Sequence, residues 1–385
     1  MNQLAYMIIL AVIYLGVIVV TAGVLTVVER RIAGRMQSRI GPNRVGPQGA
    51  VQWIADALKA LQKEDIIPDQ VHPFLFKIAP YLVFMGVFLT LVPIPFGAYA
   101  FMEDLDVGIY YVLATASFVV IGFMIGGWAS NNKWSLLGGM RSAAQMISYE
   151  IPTALAIVVI ILMAGSLNLN KIVQAQGALP HEWYIFRNPF AFIAFFIFFI
   201  SALAEGNRVP FDIPEAESEL VSGYNTEYSG IRFLLFFLAE WANLVVIGAL
   251  VTVLFFGGGN LGFEYLVQLP LPGRDPMKIE ILGFLWFCFK TSIFVFIIIW
   301  LRWTLPRVRI DQLMDICWKY MVPIGFFIVM GTVLWVYFVP DNSQVDFITR
   351  IVMTAISTWI LIYFVYRVYR NLKITKAKIH LNPFL

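Results

Sequence analysis

The chain has 385 residues, 60% of them hydrophobic and 13% charged, with a mean hydropathy of +0.78 and a formal net charge of +3. An ordinary soluble domain carries about 25% charged residues, so this composition cannot cover a water-facing surface and identifies a membrane protein. Two cysteines (Cys288, Cys317) and three histidines (His72, His181, His380) lie scattered without metal-ligand spacing, which excludes a disulfide scaffold, a cysteine-ligated cluster and most haem sites within the chain.

A helix needs about 20 apolar residues to cross roughly 30 Å of hydrocarbon. Runs of that kind predict nine spans, at 4–28, 74–98, 108–130, 144–166, 189–206, 232–257, 281–303, 320–340 and 346–368. The expected fold is an all-α polytopic membrane helix bundle forming a single integral membrane domain over 1–385. The first run has no charge before Glu29, no basic start and no small-residue cleavage site, so it reads as a retained span. After it, Val51, Ile54, Ala55, Leu58 and Leu61 follow helical spacing against Gln52, Asp56, Lys59 and Gln62, with Trp53 at the side. This predicts an amphipathic helix over 48–62 lying in the membrane interface. The same pattern fits a connecting helix packed on the bundle without a ligand role, and the sequence leaves both open.

Basic residues in short loops mark the cytoplasmic side. Arg30, Arg31, Arg35, Arg39, Arg44, Lys59 and Lys63 follow the first span, and alternation brings Lys133, Arg141, Arg208, Arg302, Arg307, Arg309, Lys319 and the tail from Arg367 to Lys378 to the same side. The other side holds only Lys171, Arg187, Arg274 and Lys278. The N-terminus is therefore expected outside and the C-terminus in the cytoplasm. Because these charges sit at span ends rather than in one block, nucleic acid is not an expected partner.

Ionisable groups within hydrocarbon are costly, so each is a functional candidate. Glu240 stands about 12 Å into the sixth span, and Lys290 lies near the middle of the seventh. Glu150 precedes Pro152, which can kink the helix and free a carbonyl to hold water. The alternative is that Glu240 or Glu150 pairs with a buried base such as Lys290 and never titrates. The loop over 205–231 carries Glu205, Asp212, Glu215, Glu217, Glu219 and Glu227 against Arg208 alone. Crowded carboxylates in a low dielectric cannot all ionise, so such a loop can hold or pass protons near neutral pH. A solvated acidic loop has the same composition, although the interleaved Phe211, Ile213, Pro214, Leu220, Val221 and Tyr224 favour folding into the bundle. Gly257, Gly259 and Gly262 spell GxGxxG but follow a span rather than a strand, and no P-loop, GxSxG or HExxH occurs. Any redox centre must come from another chain.

Four segments are long and ordered: ERRIAGRMQSRIGPNRVGPQGAVQWIADALKALQKED at 29–65, GWASNNKWSLLGGMRSAAQMISYEIP at 127–152, AEGNRVPFDIPEAESELVSGYNTEYSG at 204–230 and LPRVRIDQLMDICWK at 305–319. They closely resemble the membrane subunit beneath the quinone site of respiratory complex I, the proton-pumping NADH:quinone oxidoreductase, a family called H in bacteria and 1 in mitochondria. The likeness runs from the first span through the eighth. The resemblance implies an enzyme subunit without a redox centre of its own, acting on quinone (ubiquinone or menaquinone), with NADH, FMN and iron–sulfur clusters on partner subunits. Those partners would be the quinone-site subunits of the peripheral arm and neighbouring small and antiporter-like membrane subunits. Carried onto this chain, the quinone tunnel should involve Glu29, Arg30, Arg39, Asp56, Lys59, Arg302, Arg307 and Arg309. The proton relay should use Glu150, Glu205, Asp212, Glu215, Glu217, Glu219, Glu227 and Glu240, with Lys290 counted among its groups. A ninth span favours a bacterial inner (plasma) membrane over the mitochondrial inner membrane. The alternatives are the equivalent subunit of a membrane-bound hydrogenase-type complex, or a free-standing ion transporter, against which no paired interrupted helices in matching halves are visible.

Overall fold

The computed structural model describes residues 3–97, 102–177, 179–214, 217–260, 276–339 and 343–381, and every regular element among them is helical. Among the described residues, eight helices are long and apolar enough to cross a membrane, and Pro189–Glu205 is apolar over a shorter length. The chain is a polytopic helical membrane bundle.

Helix α1, Gln3–Met36, is about 51 Å long and runs beyond its apolar stretch through Glu29, Arg30 and Arg31. It ends where the Arg39 N–H bonds the Gly34 carbonyl at 2.8 Å. That return is tight enough that a Cβ on Gly34 would sit 3.0 Å from the Gly41 nitrogen. Helix α2, Gln52–Gln62, starts later than the predicted residue 48 because Gly46, Gln48 and Gly49 take positive φ (70°, 52° and 77°) in a 3-10 turn. Its Trp53 lies on Gly23 of α1, where a Cβ would meet the indole at 2.5 Å. Ile54, Leu58 and Leu61 remain 39–57% exposed. The apolar stripe is thus left largely uncovered by the rest of the chain.

Helices α3 (Pro73–Thr90) and α4 (Gly108–Ala129) pack through reciprocal small positions, Gly86 on Val119 and Gly122 on Val83. The second predicted span stops at Thr90, short of residue 98, in a turn before Pro93 and Pro95. Helix α5, Lys133–Ala164, begins well before the predicted residue 144. Asn132 caps it, accepting from the Trp134 N–H at 2.9 Å, and Gly139 meets Gly127 of α4 at backbone distance. Short elements α6 (Leu169–Ala175) and α7 (Tyr184–Arg187) lead to α8 (Pro189–Glu205), α9 (Glu217–Leu220) and α10 (Gly230–Phe255). Helix α11 spans Pro276–Thr304. Helix α12, Ile310–Asp315, passes through a π turn at Ile316–Met321 into α13, Val322–Phe338. The last helix, α14, is continuous over Gln344–Leu381.

The core gathers on α5, α8 and α10, where Tyr149, Phe198, Phe236 and Phe255 are fully buried. Gly138 of α5 is the place where the loop after α9 seats, since a Cβ there would lie 2.7 Å from Gly223 Cα and Tyr224 N. Gly138→Val should therefore destabilise the detergent-solubilised protein by about 1–3 kcal/mol. Gly16→Val, with nothing within 4 Å, should leave the thermal midpoint unchanged.

Candidate functional site

A buried ion pair marks the inner ends of α1 and α11. Glu29, 4% exposed, lies 2.9 Å from Arg302. Its Oε2 has no hydrogen-bond partner among the described residues. An apolar groove of about 620 Å³ runs between α1 and α11 from Ile13 to Ile32. Val28, Ile32 and Ile299 line its inner end, within four residues of Glu29 or Arg302. Nearby, Arg30 bonds Asp56 of α2 at 2.5 Å, and Gln52 holds the other carboxylate oxygen at 3.0 Å. This second pair is half exposed and contributes little energy. Lys59, Arg39 and Arg309 are exposed at the same end, with Arg39 donating to Gln37 at 2.6 Å.

The segment after α8 is folded inward by side chains of α5. Gln145 donates to the carbonyls of Ala204 and Phe211, both at 2.7 Å, and Asn207, at a φ of 48°, reaches Ser142 at 3.2 Å. The Val308 N–H then bonds the Pro210 carbonyl at 3.0 Å, bringing the α11–α12 connection alongside. This places Arg307 3.2 Å from Asp212. Burial, and next the Glu240 charge, push the Asp212 carboxyl up to about 6, while Arg307, Arg302 and Arg208 pull it down. Asp212 is thus electrically tied both to the partner of Glu29 and to Glu240.

Deeper in the bundle, Arg208 lies 3.7 Å from Glu240 and stacks over Trp241 at 4.7 Å. The base beside Glu240 is therefore Arg208 and not Lys290. Glu240, Glu205, Asn207 and Asn243 line a cavity of about 10 Å³, roughly one water. Glu205 accepts from Thr153 at 2.6 Å, and with Glu150 it lines a second cavity of about 70 Å³, room for a few waters. Ser117 donates to Glu150 at 3.3 Å. The rest of that cavity is largely apolar, with Val87, Val112, Leu250 and Leu254 in its wall.

The other predicted carboxylates sit apart from this series. Glu219 pairs with Arg141 at 2.7 Å and Glu227 accepts from Asn132 at 2.6 Å, both anchoring the loop to the start of α5. Glu215 lies outside the described residues, and Glu217 opens α9 with its side chain also outside them. The loop itself is folded into the bundle: Phe211, Ile213, Leu220, Tyr224 and Tyr228 are buried, and only Val221 among its named apolar residues is well exposed, at 61%. Lys290 is buried at the far end of α10, about 24 Å along that helix from Glu240. It donates to the Phe256 and Gly258 carbonyls at 2.7 and 3.1 Å between the indole faces of Trp183 and Trp286. Its ammonium caps carbonyls that the helix end leaves open.

Pro152 does free a carbonyl, that of Ser148, but the Cys317 thiol occupies it at 3.1 Å in place of water. On the other side, the Tyr149 hydroxyl donates at 2.9 Å to the Leu313 carbonyl, which also accepts from the Ile316 N–H. These two bonds brace α5, next to Glu150, against α12, next to Arg307 and Arg309.

Sequence reasoning passed over Ser117, Gln145, Thr153, Asn207 and Asn243, because uncharged polar residues within spans stand out poorly. Helical spacing was the usable signal: Thr153 and Asn243 lie three residues beyond Glu150 and Glu240.

Residues 8–333 match the family described as NADH dehydrogenase. A relative from Anaeromyxobacter dehalogenans, named as the H subunit of NADH-quinone oxidoreductase, is 50% identical over 339 residues, 86% of this chain and 82% of its own length. One from Rhodothermus marinus, named NADH-quinone oxidoreductase subunit 8, is 46% identical over 319 residues, 82% of this chain and 93% of its own. The H subunit of the same oxidoreductase from Chlorobium luteolum is 44% identical over 315 residues, 81% of this chain and 84% of its own.

Because the Asp212 carboxyl is raised, its ionised form is disfavoured in the fold. Its contribution to stability is fully present below about pH 4 and is lost as pH rises through about 6. Infrared titration with labelled aspartate should place the Asp212 midpoint near 6. Arg307→Ala should move it upward, since it removes the cation closest to the carboxylate; a downward move would contradict the assignment.

Proposed function

The chain belongs to the NADH dehydrogenase family, and from that premise we propose that it is the membrane subunit of a proton-translocating NADH:quinone oxidoreductase that links quinone reduction to a proton pathway. Its working setting is an oxidoreductase complex in a bacterial inner membrane, where NADH, FMN and iron–sulfur clusters are carried by partner subunits. Ubiquinone or menaquinone is its substrate. The apolar groove between α1 and α11 suits an isoprenoid tail, and the exposed apolar stripe of α2 suits an opening at bilayer level. At the inner end the headgroup would meet Glu29, Arg302 and Arg307, with Arg30, Asp56, Lys59, Arg39 and Arg309 around the mouth.

Reduction of a quinone takes two electrons and two protons to the quinol. Negative charge developing near Arg302 and Arg307 competes with Glu29 and Asp212 for these guanidiniums. The carboxylates then take up protons, and Asp212 passes the change to Glu240 through their mutual repulsion. From Glu240, a proton can move through single waters to Glu205 and on to Glu150. The single observation that carries this reading is the unbroken series of Glu29–Arg302, Asp212–Arg307, Glu240–Arg208, Glu205 and Glu150, each joined to the next by a shared cation or a shared cavity.

Glu240→Gln or Glu205→Gln in the intact complex should lower proton uptake per electron, and slow coupled NADH-to-quinone turnover by about a hundredfold where that transfer limits the rate. Normal stoichiometry and full coupled rates in proteoliposomes would remove that residue from the pathway. Glu29→Gln should act earlier, slowing quinone reduction itself.

A further inference from the structure

Helix α14 lies beyond the part of the chain that matches the family, which ends at residue 333. It is a single helix of 38 residues, about 57 Å, far longer than the roughly 30 Å of hydrocarbon. Its outer end packs against α7, and a buried ion pair between Asp346 and Arg350 sits there. Further in, Trp300 of α11 meets Phe364 edge to face at 6.0 Å. Along the span itself, six successive residues from Trp359 to Phe364 are each 48–65% exposed. At about 100° per residue these point in every direction round the helix. Phe364 apart, which meets Trp300, these residues are uncovered by the rest of the chain.

We infer that the inner half of α14 binds anionic phospholipid headgroups. Trp359 and Tyr363 stack at 5.7 Å, and Tyr366 follows one turn after Ile362, which is the aromatic belt expected at a membrane interface. Arg367 and Arg370 come next, about 5 and 9 Å beyond Phe364 along the axis, at the depth of a headgroup layer roughly 5–8 Å thick. Lys373, Lys376 and Lys378 continue the positive run, and no Asp or Glu occurs anywhere after Asp346. A basic cluster directly following a span on its cytoplasmic side has this complementarity to an anionic leaflet. Guanidiniums in the first two positions suit phosphate diesters, which accept two parallel hydrogen bonds.

The test uses the whole complex in bilayers of equal phosphatidylglycerol and phosphatidylcholine, each spin-labelled in turn, reading the fraction immobilised by electron paramagnetic resonance. The intact complex should immobilise phosphatidylglycerol preferentially, and the preference should decline as salt rises from low to high ionic strength. Arg367→Gln and Arg370→Gln should each lower it roughly fivefold at the sites involved. Equal immobilisation of both lipids, or a preference indifferent to salt and to these substitutions, would overturn the proposal. A photo-crosslinker at position 366 should yield lipid adducts. If it captured another subunit of the complex instead, a protein would be the occupant and the lipid assignment would fall. Should the substituted complex fail to assemble, the salt dependence and the crosslink on the otherwise native chain still decide.

Discussion

Charge taken out of water must find opposite charge, and the inner half of this bundle is organised round that requirement. A carboxylate or guanidinium alone in a low dielectric carries a penalty of several kcal/mol, and removing one member of a buried pair typically costs about 3–5 kcal/mol. Glu29 meets Arg302, Asp212 meets Arg307 and Glu240 meets Arg208, so signs alternate through the cluster. Replacing such pairs with well-packed apolar residues is often neutral or stabilising. Stability alone therefore does not account for three of them in one place; under the proposed function their value lies in what a change at one does to the next.

The backbone is shaped to hold this cluster still. Gln145 fastens the segment after α8 by two carbonyls, and the bond from Val308 to the Pro210 carbonyl lays the α11–α12 connection beside it. Without those contacts Arg307 and Asp212 would sit on two independent loops. The Tyr149–Leu313 and Cys317–Ser148 bonds add a second tie in which each side donates to a carbonyl of the other. The carbonyl that Pro152 frees thereby finds its donor within the protein.

Much of the architecture was readable because hydrocarbon length and charge placement are strong constraints. The apolar runs marked the long helices, Glu240 stood out as a charge in the wrong solvent, Glu205 and Asp212 as members of a crowded acidic loop, and Glu29 only through the family resemblance. What escaped were effects of tertiary contact. The start of α5 at Lys133 depends on Asn132 as a cap and on glycines that admit a neighbouring backbone, and an apolar-run criterion does not register either. Lys290 looked like a counter-charge for a mid-span carboxylate because depth in sequence does not show which end of a neighbouring helix lies alongside. The family resemblance carried the tunnel residues, and composition could not have separated Arg302, which touches Glu29, from Arg309, which is exposed.

Position within the cluster gives Asp212 a different standing from its neighbours. Arg302 touches Glu29 and acts on Asp212 at longer range; Arg208 touches Glu240 and does the same. Asp212 therefore senses both ends, and it is held close enough to neutrality in pH that small changes in surrounding charge move its occupancy. On the far side, the apolar wall of the cavity between Glu205 and Glu150 keeps the local dielectric low, so a single proton there is felt strongly by the carboxylate that did not receive it. Electrostatic coupling of this kind needs fixed distances more than large movements. The α5–α12 brace and the Gln145 clamp supply those distances, and the proposed coupling depends on them.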